Sequence, residues 1–283
     1  MIVVTTADEC RTEIAQARKR YAIGFVPTMG ALHDGHLSLV RRSKTENPFT
    51  VMSIYVNPTQ FGPNEDFDKY PRPLERDRAL AEETGVDLLW TPTNHDIYPE
   101  GFSTFIEETL ISRDLCGKFR PGHFRGVTTV VYHLLRTVTP DRLYLGQKDG
   151  QQLRVLEKMV DDLGLALKVV GCPTVREPDG LALSSRNAYL SADERKIAPS
   201  IYRALQEVET AFKSGERSRL ELVKILQSDL GRRPELRIQY IELRRWRDFE
   251  TIETVTEKSI LAVAAYLGKT RLIDNLLLEP TKS

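Results

Sequence analysis

Only three of the 283 residues are cysteine, at positions 10, 116 and 172. They lie far apart with no Cys-x-x-Cys spacing, which sets aside a disulfide frame or thiolate zinc site and fits reduced thiols in a cytoplasmic protein. An excess of one charge is also missing, since 40 Lys+Arg balance 40 Asp+Glu. No domain-wide basic field is therefore available to drive nucleic-acid binding. Long apolar runs are absent: the longest, Ile260–Leu267 and Val127–Leu135, are too short to span a bilayer. The opening residues reach Asp8 and Glu9 without a basic stretch followed by an apolar one, so no secretory signal is expected. Neither a Gly-x-x-x-x-Gly-Lys-Ser/Thr loop nor a Gly-x-Gly-x-x-Gly fingerprint occurs, which removes support from P-loop and dinucleotide-binding readings. There is no internal repeat and no low-complexity segment.

What is present reads as globular. Hydrophobic residues make up 41% and charged residues 28% of the chain, near the averages for folded proteins. A chain this long has room for one large domain or two ordinary ones, and buries enough surface to fold without a covalent staple. The expectation is a soluble, intracellular protein.

The first two-thirds alternates β-branched runs with helical patterns. Strands are expected at Ile23–Val26, Thr50–Val56, Val86–Trp90, Arg142–Leu145 and Leu167–Val170. Helices are expected at about His36–Lys44, Leu74–Thr84, Gly126–Thr137 and Gln151–Leu163. Such alternation implies a doubly wound, Rossmann-like α/β domain with a mostly parallel sheet. After Pro173 the rhythm changes. A capping signal at Ser191 opens a helical stretch expected to run to about Lys213, a second helix covers Leu220–Leu230, and strands Arg237–Leu243, Ile260–Tyr266 and Thr270–Leu278 follow. The expected division is residues 1–174 for the α/β domain and 175–283 for a smaller α+β C-terminal domain. Arg244-Arg245-Trp246-Arg247 fits a solvated strand end better than a nucleic-acid patch, and Pro71–Pro73 is too short for a polyproline ligand.

Candidate chemistry concentrates at strand ends, where an open α/β sheet binds its ligands. The first such turn carries His33 and His36 around Gly35 at an expected helix start. Backbone N–H groups there, with the two imidazoles, suit phosphate oxygens; a turn with one capping histidine is the alternative. His-x-x-His is weak as a metal site, because no third ligand has a telling spacing. The second strand ends in Asn57 and Gln60, amides suited to a hydroxyl- and carboxylate-bearing small molecule or, equally, to a capped turn. Gly146, Lys148 and Asp149 follow another strand, where they suit phosphate and ribose or simply a surface. Ser184, Ser185 and Arg186 offer a mobile polyphosphate clamp or a helix-start turn.

Together these segments resemble the pantothenate synthetase (pantoate–β-alanine ligase) family. The resemblance rests on Pro27-Thr-Met-Gly-Ala-Leu-His-Asp-Gly-His36, Val56-Asn-Pro-Thr-Gln-Phe61, Tyr70-Pro-Arg72, Pro121-Gly-His-Phe-Arg-Gly126 and Asp179-Gly-Leu-Ala-Leu-Ser-Ser-Arg-Asn187. It runs in order over nearly the whole chain. The His-x-Gly-His turn, His33 to His36, is shared with the wider nucleotidyltransferase superfamily. The resemblance implies an ATP-dependent ligation in which pantoate forms an acyl adenylate that β-alanine then captures, giving pantothenate, AMP and pyrophosphate. It further implies Mg²⁺, a cytoplasmic homodimer, and a C-terminal lid that shields the adenylate from water.

Carried over by position, His33, His36, Lys148, Ser184, Ser185 and Arg186 would meet the ATP phosphates. Gly146 and Asp149 would meet the ribose, and the Val175 backbone the adenine. Met29, Gln60 and Gln152 would form the pantoate pocket, with Asn57 ordering it, and Met29 also borders the ATP site. Asp77 is the candidate acidic residue near Mg²⁺. Leu145, Gln147 and Gly150 depart from the family's Phe-Gly-Glu-Lys-Asp phrase and the bulkier residue after it, and Leu183 stands where methionine is frequent. Gly150 is expected to loosen the helix start. The rival readings are a nucleotidylyltransferase, which would need no β-alanine, and a silent nucleotide-binding protein, which would have no reason to keep its phosphate-contacting residues complete.

Overall fold

The computed structural model describes residues 1–63 and 65–280. The chain divides into two compact units, Met1–Gln147 with Gln151–Pro173, and Lys148–Gly150 with Thr174–Ser283. The first unit runs β1 (Ile2–Val4), α1 (Ala7–Ala17), β2 (Ile23–Thr28), α2 (Asp34–Glu46), β3 (Phe49–Ile54), α3 (Leu74–Glu83), β4 (Leu88–Trp90), α4 (Asn94–Ile97), α5 (Cys116–Phe119), α6 (His123–Val138), β5 (Arg142–Gly146), α7 (Gly150–Asp162) and β6 (Lys168–Cys172). Its six strands lie in the order β1-β4-β3-β2-β5-β6, with every recorded pairing parallel. The fold is therefore α/β and Rossmann-like. β1 and α1 were not foreseen, although Thr6 and Glu9 form a reciprocal capping box at the start of α1.

From β2 the chain moves to β3 on one side and later returns to β5 on the other, so the topological switch point lies between β2 and β5. Pairing of β2 with β3 continues to Thr28, whereas pairing with β5 is confined to Gly24 and Phe25. Pro27, which has no N–H to donate, falls in the stretch paired only with β3. Val26, Leu37, Val40, Met52, Leu89 and Tyr144 pack into one core cluster of this unit. That core holds β2 and α2 together, and so fixes the turn between them.

In the second unit, α8 (Ala192–Ile197), α9 (Ser200–Lys213) and α10 (Arg219–Leu230) precede an antiparallel sheet of β7 (Leu236–Arg245), β8 (Ser259–Leu267) and β9 (Thr270–Leu278). The single helix expected from Ser191 to Lys213 is two helices, because Pro199 lacks a donor and its ring crowds the turn before it. Leu205, Val208 and Leu226 bury against Leu243, Leu261 and Val263. The Arg244–Arg247 run is matched by acids: Arg244 with Glu242, Arg245 with Asp248 and Glu257, and Arg247 with the same two carboxylates. All three cysteines are buried and free of disulfides. Among the described residues no helix is long and apolar enough to cross a membrane.

Candidate active site

The turn leaving β2 is built around its two histidines. His33 caps α2, its Nδ1 accepting from the Gly35 N–H at 3.2 Å, while His36 Nδ1 accepts from the His33 N–H at 3.4 Å. This is a capping box made of imidazoles, with ring centroids 4.1 Å apart. A ring that accepts through Nδ1 carries its neutral-form proton on Nε2. Both rings sit at the N-terminus of a 13-residue helix, whose positive dipole end favours an anion.

Asp77 does not fit its expected place beside Mg²⁺. It is 1% exposed, and its two carboxylate oxygens accept backbone N–H groups, Oδ2 from Ala31 at 2.7 Å and Oδ1 from Leu32 at 2.8 Å. Mg²⁺ keeps several waters in an octahedral shell, which a dry carboxylate turned to the backbone does not serve. Among the described residues no group of three or more His, Cys, Asp and Glu is arranged to hold a metal.

The β3 end supplies a chain of amides. Gln60 Nε2 donates to Met29 Sδ at 2.9 Å, and Asn57 Nδ2 donates to Gln60 Oε1 at 3.1 Å. Asn57 is 1% exposed; its Nδ2 also donates to the Gly126 carbonyl, and its Oδ1 accepts from Tyr98 and Thr59 hydroxyls at 2.8 and 3.0 Å. Asn57 thus stands behind Gln60 and orders it, rather than facing a ligand. Gly126 on α6 makes this possible, because a Cβ there would lie 2.4 Å from the Thr59 carbonyl oxygen.

Three residues absent from the expected set brace Gln60 from the other side. The Gln60 carbonyl accepts from His123 Nδ1 at 2.8 Å and from Arg120 Nη2 at 3.2 Å. Arg120 also grips Glu65 at 2.6 and 2.5 Å, and its Nη1 lies 3.0 Å from His123 Nε2. A carbonyl only accepts and a guanidinium only donates, which places the His123 proton on Nδ1. Burial alone would raise the Glu65 carboxyl, but the Arg120 contacts outweigh it and hold it below the usual range. His123 lies within the Pro121–Gly126 phrase and Arg120 immediately before it, a signal that could have found them; Glu65 carries none.

Gly146 ends β5 beside the switch point, and Gln152 lies in the first turn of α7. The remaining expected residues belong to the second unit. Lys148 pairs with Asp149 at 3.6 Å, and its carbonyl accepts from Asn275 Nδ2 at 2.9 Å. The Val175 carbonyl accepts from the Leu183 N–H at 3.0 Å, closing a hairpin. Arg176 secures that hairpin through Asp274, at 2.6 and 2.9 Å, and through the face of Tyr202. Ser184 caps the short turn Ser185–Tyr189 by accepting from the Arg186 N–H at 3.3 Å. Arg195 reaches Asp179 at 2.6 Å and Glu177 at 2.5 Å.

A family model described as pantoate-beta-alanine ligase matches residues 2–277. The chain belongs to that family. A pantothenate synthetase of Thermotoga neapolitana is 50% identical over 279 residues, covering 98% of this chain and all of that one. The crystal structure of pantothenate synthetase from Thermus thermophilus superposes with a TM-score of 0.93 at 48% identity, covering 99% of this chain and 100% of that chain. A pantoate-beta-alanine ligase from Francisella tularensis, complexed with beta-gamma ATP and beta-alanine, superposes with a TM-score of 0.80 at 39% identity, each chain covered fully. The departure from the pantoate–β-alanine ligase phrase at Gly150 has a local reason. A Cβ there would lie 2.6 Å from Ile260 Cδ1 and 3.2 Å from Asn275 Nδ2, so neighbouring side chains occupy the room a larger residue would need. α7 begins at Gly150.

Proposed function

We propose that this chain condenses pantoate with β-alanine at the expense of ATP, through an enzyme-bound pantoyl adenylate. A pantoate carboxylate oxygen attacks the α-phosphorus, the bond from that phosphorus to the bridging oxygen breaks, and pyrophosphate leaves. The β-alanine amine nitrogen then attacks the acyl carbon, the acyl–oxygen bond breaks, AMP departs, and the amine's surplus proton passes to solvent. The observation that carries this reading is the imidazole capping box at the N-terminus of α2, beside the sheet's switch point.

In this reading His33 and His36 donate through Nε2 to phosphate oxygens as charge builds on them, a task of positioned donors that needs no protein nucleophile. Lys148, Ser184, Ser185 and Arg186 supply further phosphate contacts. Gly146 and Asp149 serve the ribose, and the Val175 backbone the adenine. Gln60 and Gln152 hold pantoate's hydroxyl and carboxylate groups beside Met29, with Gln60 aimed by the Asn57, His123 and Arg120 contacts. A cytoplasmic homodimer belongs to the same reading and rests on the family alone.

The test is AMP release with ATP, Mg²⁺ and pantoate, run with and without β-alanine. AMP and pantothenate that depend on both pantoate and β-alanine support the reading. Rapid pyrophosphate release with pantoate alone, trapped as a hydroxamate by hydroxylamine, supports the adenylate. Folded protein that binds ATP without releasing AMP would overturn it.

A further inference from the structure

We infer that Asp77 is a positioning residue that clamps the histidine turn through its backbone, and not a metal ligand. The inference rests on the histidine roles proposed above, but its geometry stands by itself. Gly30 and Ala31 both have positive φ, 80° and 50°, so the chain turns through left-handed backbone just before the helix. Glycine tolerates this and alanine does not readily, so Ala31 needs an outside constraint to hold it there. The two amides that follow Gly30 are the ones that Asp77 accepts, one on each oxygen. The carboxylate sits immediately under the turn: a Cβ on Gly30 would fall 2.9 Å from Asp77 Oδ2.

Asp77 is also the wrong group to be buried for any lesser reason. Arg76 and Arg78 on either side of it are exposed, whereas Asp77 is 1% exposed in the first turn of α3. Burying a carboxylate is costly unless its oxygens are hydrogen-bonded. Here two short backbone donors and the N-terminal end of α3 meet that need. The carboxylate therefore ties the start of α3 to the start of α2, two residues before His33. A shift of the Ala31–Leu32 backbone would carry both imidazoles with it, and misplacement of about 1 Å at a reacting centre costs on the order of a hundredfold in rate.

The experiment uses the full chain and reads the clamp directly by amide hydrogen exchange. In the wild type the Ala31 and Leu32 amides are expected to be protected. Asp77→Asn has the same shape but keeps one acceptor oxygen and turns an NH₂ toward the other amide. It should lose protection about tenfold or more at one of the two positions, while Val51 and Met52 in β3 keep theirs. Turnover should fall in parallel, by about ten- to a hundredfold in kcat, with KM for ATP little changed and with the Mg²⁺ concentration at half-maximal rate unmoved. A merely structural residue would lower stability without this split.

Unchanged protection in the variant, or lost protection with wild-type kcat, overturns the clamp. A second measurement needs no variant: Mn²⁺ alone, without nucleotide, should leave the Ala31 and Leu32 amide resonances sharp, and selective broadening would restore Asp77 as a cation ligand. Both exchange and Mn²⁺ readouts are independent of ligation. Wild-type protein that makes no AMP would therefore overturn the proposed function while leaving the clamp to be judged on its own.

Discussion

The histidine turn and the hairpin leading to Asn187 carry groups assigned to the same phosphates, yet they are held by opposite means. The turn is fixed by buried, short-range bonds: two imidazole caps and one carboxylate that accepts backbone amides. The hairpin is held mainly by ion pairs of Arg176 and Arg195, and the Arg195 pairs are substantially open to water. Such shielded bonds, two of them to a buried carboxylate, fix direction and respond little to salt. Exposed ion pairs fix less and are screened. The turn is thus the more tightly fixed of the two segments.

The strongest way to break this comparison is at the turn. His36→Ala should lower kcat about a hundredfold or more through lost charge stabilisation, with a stability loss of only about 1 kcal/mol from the cap. Wild-type turnover in that variant would remove the ring from the mechanism. In the hairpin, Arg176→Ala leaves Asp274 buried and unpaired and should destabilise the second unit by about 3 kcal/mol, read as a lower denaturant midpoint. If the midpoint held, the hairpin would not depend on that pair.

Asn57→Ala should cost about 1–3 kcal/mol of stability for the partners it strands and raise KM for pantoate more than KM for ATP. Equal changes in both would detach Asn57 from Gln60. Gly150→Ala should weaken the second unit by about 1–3 kcal/mol through overpacking against Ile260, and Ile260→Val in the same chain should recover part of the loss.

The smallest effects belong to the exposed pairs. Arg195→Gln should cost about 1 kcal/mol or less, diminishing in high salt. Asp179 is held below its usual range first by the Arg195 hydrogen bond, and Glu65 by Arg120 despite burial. A carboxyl lowered in the folded state stabilises fully above its unfolded value, about 4, and loses that contribution as pH falls through the folded value. Stability from both groups should therefore be flat from about pH 6 to 8 and decline only in acid, as a pH series of denaturant melts would show.

How much was legible in the sequence depended on range. β2, β3, β5 and the strand Thr270–Leu278 announced themselves through β-branched runs, and Ser191 through its cap. The histidine turn was legible because its spacing is local. β1 was hidden by its three-residue length, and Pro199 was underweighted against a continuous apolar pattern. Asp77 was misread because an acid next to arginines looks solvated or metal-bound; only its partners 45 and 46 residues away explain it. The Glu65–Arg120 pair at the heart of the brace is separated by 55 residues and has no periodic signal. Gly150 looked like a weakness because Ile260 and Asn275, which fill its space, are more than a hundred positions distant.

The imidazole caps have one more consequence. A ring whose Nδ1 accepts from the backbone has its orientation set by the turn itself. In a chain with no net charge, any steering of an anion must come from local cationic side chains rather than from the field of the whole protein. On the proposed roles, lowering ionic strength should quicken nucleotide arrival through Lys148 and Arg186.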